Sequence, residues 1–292
     1  MHQLSTHKLY KHNLDKQKLD KHTLLALDLD GTVLNSQHTI SQELVETIKQ
    51  VAQHTHVVIV TGRHHVAAKP YYDQLGLSTP IICCNGTYIF DYQNDTVIQE
   101  NAIDKDIAAE FITLSQAHDL KMVVYVRDAM LYSRARPIEY MEALLTWSQT
   151  FPESQRPNIQ KVDDFHHEAK TSEYVWKFVV EGEVDTFAEL PFVKENFNGE
   201  RSWVDRVDFA AVGNSKGNAL TRYIEPLGIS LEQCVAIGDN HNDISMLKAA
   251  GLGIAMQNAD DTVKSSANLI TPKNNDDKTG LATLLQSLFR AH

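Results

Sequence analysis

The stretch LLALDLDGT, residues 24–32, decides how the rest of the chain is read. Its first four residues are a short, wholly apolar run, the pattern of a strand buried on both faces of a parallel sheet. Asp28 and Asp30 follow, two residues apart, so at a strand end their side chains are expected to face the same way. Gly31 then lets the chain turn. Open α/β sheets bind ligands outside the carboxyl ends of their strands, where these two aspartates fall. Neighbouring carboxylates repel, and ionising both is costly without a compensating cation. Mg²⁺, a hard ion that prefers oxygen ligands, is the natural partner, and a carboxylate that keeps its proton instead has the property a general acid needs. A lone aspartate here reads equally well as a turn residue. The pair tips the reading toward function.

Outward from this point strand and helix alternate. A helix over 41–53 is capped by Ser41 and carries Leu44, Val45, Ile48 and Val51 on one face. A strand at 56–61, a helix at 65–75 and a strand at 80–84 continue the pattern of an open α/β sheet. The rhythm changes after Asn85 and Gly86. A hairpin of 88–92 and 96–98 is followed by a helix at 105–118, strands at 122–126 and 130–133, and a helix at 137–151. Polar linker material, strands at 174–180 and 201–204, and a helix between them complete the segment. From Gly213 the alternation resumes with helix 216–227, strand 234–237, helix 243–250, strand 252–255 and a terminal helix. The expected fold is α/β, a Rossmann-like parallel-sheet core (23–103 and 206–292) split by an inserted α+β domain (104–205).

Residues 1–25 repeat every five residues, with Leu4, Leu9, Leu14, Leu19 and Leu24 in step. A period of five matches neither helix nor strand, so residues 1–22 read as a low-complexity polar tail. His2, His7, His12 and His22 invite a metal-binding reading, which is the weaker one. With 42% hydrophobic and 22% charged residues the composition is that of a globular protein. A net charge of −11 argues against non-specific binding to nucleic acid or anionic membrane. No run is long enough to span a membrane, and no secretory signal pattern is evident. Cys83, Cys84 and Cys234 sit in apolar runs and read as buried free thiols of a reducing compartment, so a cytoplasmic protein is expected.

Three further elements share the position of Asp28. Thr61, Gly62 and Arg63 end a strand before a helix, where a hydroxyl, a glycine amide and a helix N-terminus make a phosphate cradle. Lys216, opening another helix, is placed to neutralise phosphate oxygens, although a solitary lysine is usually solvated. Most specific is GDNHND, residues 238–243, between a strand and a helix. It adds two carboxylates at a strand's carboxyl end and an amide able to bind phosphate. Asp243 also reads as a helix cap, which leaves Asp239 as the better metal ligand.

Taken in order, DLDGT (28–32), TGR (61–63), Lys216 and GDNHND (238–243) resemble the four motifs of the haloacid dehalogenase superfamily. The insert resembles the α/β cap, of C2 type, in its Cof-type branch of phosphatases. TGRHHVA (61–67), ICCNGTY (82–88), VWKF (175–178), GNSKG (213–217) and GDNHNDISML (238–247) are similar to the pyridoxal phosphate phosphatases of that branch. The resemblance runs from about Leu24 to the end and implies an Mg²⁺-dependent phosphomonoester hydrolase. Asp28 would attack phosphorus to give an aspartyl-phosphate, and Asp30 would protonate the leaving oxygen and then activate water. Metal would be held by the Asp28 carboxylate, the Asp30 backbone carbonyl and Asp239. Phosphate oxygens would be held by the Leu29 amide, Thr61, Gly62, Lys216 and Asn242. The implied partner is a small phosphorylated metabolite, pyridoxal 5′-phosphate or a sugar phosphate. A phosphomutase or phosphotransferase with the same core, or a non-catalytic phospho-ligand sensor, are the rival readings. Val33 and His241 depart from the family pattern, and the pentad tail has no counterpart in it. In the insert, Trp176, Tyr125 and Tyr132 read as core, with stacking on a substrate ring as the alternative. Arg134 and Arg136 read as solvated or as partners of a second anionic group.

Overall fold

The computed structural model describes residues 22–203 and 205–289. Most of the pentad tail, including Leu4, Leu9, Leu14, Leu19, His2, His7 and His12, lies outside the described residues, as does Val204. The chain forms two compact units. The first takes the described residues up to Thr61, then Tyr71–Ile81, then those from Ser215 onward; the second takes Gly62–Pro70 and Ile82–Asn214.

The first unit is built on a five-stranded parallel sheet. Its strands, edge to edge, are Leu269–Ile270, Leu252–Ala255, Cys234–Gly238, Leu24–Leu27 and His56–Ile59. Leu24–Leu27 is fully buried because it pairs on both sides, in register with Cys234 to Ile237 on one side and His56 to Ile59 on the other. The apolar run was the signature of such a position. Helix Gln42–Val51 begins at Ser41, whose side chain accepts from the Leu44 amide, and turns Leu44, Val45, Ile48 and Val51 inward. It packs against helix Gly280–Leu288, with Gln286 Nε2 donating to Thr47 Oγ1 at 3.1 Å. Helix Lys216–Ile224 packs against Ile244–Ala249. In-register pairing has one functional consequence. Asp239, Asp28 and Thr61 emerge at the carboxyl ends of three adjacent strands.

The second unit centres on a six-stranded sheet in the order Phe197–Trp203, Arg206–Ala211, Val175–Glu181, Lys121–Val126, Ala129–Ser133 and Ile159–Val162. Only the last pair is parallel. Its core is aromatic: Phe111, from helix Lys105–Ala117, stacks on Phe178 at 4.4 Å and is ringed by Phe187, Phe197 and Phe209. Trp176 and Tyr132 are completely buried, and Trp176 is stacked between Tyr88 and Tyr174, so these rings are core. Arg134 is paired with Asp163 and Arg136 with Asp119.

Three sequence expectations are corrected here. The strand expected at 80–84, observed as Ile81–Cys83, joins the hairpin of Tyr88–Asp91 and Thr96–Glu100 in a three-stranded sheet and not the parallel sheet. Its reversal is made by Cys84, Asn85 and Gly86, which have φ of 50°, 57° and 91° and fold the chain back on itself. The supposed polar linker after 151 contains strand Ile159–Val162 and helix Phe165–Thr171. The strand placed at 201–204 is the end of Phe197–Trp203, followed by a separate strand, Arg206–Ala211. All three cysteines are free and buried. Among the described residues no helix is long and apolar enough to cross a membrane.

Candidate active site

Asp28 is the first residue beyond its strand, and its amide still donates to Ile237 O at 3.0 Å. That bond anchors the backbone, and the residue is 4% exposed. Lys216, at the start of its helix after the cap Ser215, is wholly buried. Its Nζ donates to Asp28 Oδ1 at 2.6 Å and to Asp243 Oδ1 at 2.6 Å. This lysine is no solvated surface group. Burial works against its charge, but Asp243 and Asp28 outweigh it and carry the pKa well above the usual lysine range.

Asp243 divides its two oxygens between two tasks. Oδ1 meets Lys216, while Oδ2 accepts the amides of Asp239 at 2.9 Å and Asn240 at 3.0 Å. Asp243 does precede helix Ile244–Ala249, but its side chain makes no capping bond to that helix; it reaches back to close the turn His241–Asp243, and the same carboxylate belongs to the charged cluster. Sequence reasoning stopped at a helix cap; the signal available was the spacing from Asp239. Gly238 permits the arrangement, since a Cβ there would lie 2.4 Å from Asp243 Cγ.

Asp239 is held by Thr32 Oγ1 at 3.4 Å and by Asn258 Nδ2 at 3.1 Å, and Asn258 also donates to Gly31 O at 2.9 Å. Thr32 and Asn258 were not anticipated as site residues. Asn258 follows strand Leu252–Ala255, so its place past another strand's carboxyl end was the available clue. Burial first, then Asp243, raises the Asp239 pKa to about 7. Burial first, then Asp243, pushes Asp28 well above the ordinary carboxylate range, with Lys216 opposing.

Oxygens of Asp28, Asp239 and Asp243 lie within 4.8 Å of one another. Three carboxylates and the Lys216 ammonium sum to −2 when all are ionised. The donor set is all oxygen, partly buried and short of two positive charges, which fits a hard divalent cation such as Mg²⁺. Asp30 is placed differently. Its carboxylate is 45% exposed, 3.6 Å from His38 Nδ1, and is not in the three-carboxylate group. Of the remaining expected residues, Leu29 and Thr61 are buried, Asn242 is half-buried in the turn before helix Ile244–Ala249, and Gly62 is the next residue after Thr61. His241 pairs with Asp260, away from this cluster in its contacts.

The sequence and fold have known counterparts. Residues 25–285 match the haloacid dehalogenase-like hydrolase family, and the chain belongs to it. It is an enzyme, a hydrolase of the phosphatase kind. The chain is 40% identical over 264 residues to the pyridoxal phosphate phosphatase YbhA of Escherichia coli, covering 87% of this chain and 94% of that protein. It is 26% identical to the 5-amino-6-(5-phospho-D-ribitylamino)uracil phosphatase YitU of Bacillus subtilis, covering 91% and 97%. Among solved structures, a haloacid dehalogenase-like hydrolase from Bacteroides thetaiotaomicron superposes with a TM-score of 0.79 at 26% identity, covering 92% of this chain and all of that one.

Proposed function

We propose that this chain hydrolyses phosphate monoesters with Mg²⁺ through an aspartyl-phosphate on Asp28, and that pyridoxal 5′-phosphate is its preferred substrate. The observation that carries the reading is the Lys216 ammonium bridging Asp28 and Asp243 beside Asp239. The lysine holds Asp28 in one orientation and offers positive charge to the nonbridging oxygens of an incoming phosphoryl group. Phosphoryl transfer depends on such positioning and neutralisation more than on unusual side-chain chemistry.

Asp28 supplies the nucleophile, and a covalent intermediate divides one difficult displacement into two easier ones. Bound Mg²⁺, held by Asp28, Asp239 and the Asp30 carbonyl, would draw charge from the phosphoryl oxygens. Asp243 keeps Lys216 and the turn after Gly238 in place. Asp30 has its carboxylate partly in solvent, where it can give a proton to the leaving oxygen and later take one from water. Thr61, the Leu29 and Gly62 amides and Asn242 hold the remaining phosphate oxygens.

Pyridoxal 5′-phosphate is supported by the 40% identity to a phosphatase of that name. The test is phosphate release by the full chain from pyridoxal phosphate, fructose bisphosphate and erythrose phosphate, with Mg²⁺ and with chelator. The highest kcat/KM is expected for pyridoxal phosphate, with no turnover in chelator. Isomerised phosphate esters in place of free phosphate would mean a phosphotransferase. Silence across a broad panel would leave a phospho-ligand sensor.

A further inference from the structure

Lys177 is a buried charge that the proposed reaction does not use. It lies in strand Val175–Glu181 of the second unit and is 4% exposed. Its Nζ is 2.5 Å from Asp208 Oδ2, 3.1 Å from the carbonyl oxygen of Gly62, and 4.7 Å from the centre of the Tyr125 ring. Burial opposes its charge, yet Asp208 and its other neighbours hold the pKa far above the lysine range, so the ammonium persists at any working pH. Asp208 sits on the adjacent antiparallel strand, Arg206–Ala211, opposite Val179 and two residues from Ala210, the partner of Lys177, so the pair meets on the diagonal.

A buried ion pair of this kind is a poor stabiliser, because apolar side chains of similar volume serve as well or better. What an apolar pair cannot do is bind the Gly62 carbonyl. Gly62 directly follows Thr61 and is the most freely rotating kind of residue in the phosphate cradle. The peptide is planar and trans, so fixing the Gly62 oxygen also fixes the Arg63 N–H on the opposite side of the same plane. The next carbonyl, of Arg63, accepts from the Cys84 amide at 3.0 Å. The two successive peptides that follow Gly62 and Arg63 are therefore tied down, the first by Lys177.

We propose that Lys177, oriented by Asp208, is a positioning residue for the phosphate-binding loop: it holds the Gly62 peptide in the conformation in which the loop amides receive phosphate. The loop then meets its ligand already ordered, and phosphate binding does not bear the cost of freezing a glycine. The inference rests on the phosphate-ester reading of the site. Its readout does not, because inorganic phosphate can be titrated whether or not any ester is turned over.

The experiment compares the full chain with the double variant Lys177→Met/Asp208→Leu, and with Lys177→Met alone. The single variant strands Asp208 and is expected to lose thermal stability; the double variant removes both charges and is expected to melt near the parent. Inorganic phosphate is titrated calorimetrically with Mg²⁺ present, and KM and kcat are measured on a phosphate ester. The double variant is expected to bind phosphate about tenfold to a hundredfold more weakly, with KM raised in parallel. Unchanged phosphate affinity and KM in a folded double variant would overturn the proposal. A double variant that fails to fold would overturn it too, since the pair would then be a folding element. Absence of ester turnover by the parent chain would count against the phosphatase reading alone.

Discussion

Lys216 Nζ and Asp28 Oδ1 lie 2.6 Å apart with the lysine wholly buried and the aspartate nearly so. One ammonium faces three carboxylates there, because Asp243 takes a second bond from it and Asp239 stands alongside. The same arrangement aims Asp28, restrains Lys216 and leaves the group short of two positive charges. Stability and chemistry are linked through this excess of negative charge.

Replacing Asp28 with asparagine removes the nucleophile and one repelling carboxylate together. Asp28→Asn is expected to release no phosphate while the metal-free protein melts at or above the parent temperature, with Lys216 still bonded to Asp243. Phosphate assays and thermal melts check both halves. Undiminished release would sink the assignment.

Lys216→Met strands Asp28, Asp239 and Asp243 without their buried cation. Breaking a buried pair in this way costs about 3–5 kcal/mol, much of it the penalty of the unpaired charge. Urea unfolding in chelator measures the loss, and millimolar Mg²⁺ is expected to restore part of it by neutralising the same carboxylates. A loss below about 1 kcal/mol would mean that water reaches the cluster freely.

The raised pKa of Asp239, about 7, sets a pH window for the metal-free protein. An unfolded aspartate titrates near 3.9, so between about pH 4 and pH 7 the folded state holds the extra proton. Stability therefore falls as pH rises through that window, and Asp28, shifted in the same direction, adds to the fall. Metal must displace these protons at low pH and meets ready carboxylates at high pH. The rise in melting temperature on adding Mg²⁺ is accordingly expected to be larger at pH 8 than at pH 5. Equal shifts at the two pH values would contradict the raised pKa.

The parallel core was legible because its strands are continuous apolar runs, as Leu24–Leu27 and Cys234–Gly238 show. Strand Ile159–Val162 was missed because, as an edge strand, it buries only Val162 and carries polar residues elsewhere. Arg206–Ala211 alternates buried Val207 and Phe209 with Arg206 and Asp208, and Asp208 is polar for a reason visible only in space, its bond to Lys177. Asp30 stays close enough for its charge to act on Asp28 and Asp239, but strand geometry is not what brings it there. The strand ends at Leu27, and Thr32 N closes a turn on Leu29 O at 3.3 Å, so strand alternation does not govern Asp30. Asp243 was misread as a helix cap, since a sequence does not show that its carboxylate turns back to the Asp239 and Asn240 amides and to Lys216.

Gly31 offers a test of how closely Asp239 is packed against the turn that follows Asp28. Its φ is +78°, and an added Cβ would sit 2.2 Å from Asp239 Oδ2. Gly31→Ala therefore carries two penalties: a left-handed backbone, at about 1–2 kcal/mol, and displacement of Asp239. Gly228 separates them, because it has φ +67° but nothing within 4 Å of an added Cβ. Gly228→Ala is expected to lower the melting temperature by backbone strain alone and to leave Mg²⁺ affinity and turnover unchanged. Gly31→Ala is expected to lower it at least as much and to weaken Mg²⁺ binding, titrated calorimetrically, by about tenfold or more, the size of loss that follows when a ligand's support is disturbed. Equal Mg²⁺ affinity in the two variants would show that Asp239 can move aside at no cost, and would remove it from the set of metal ligands.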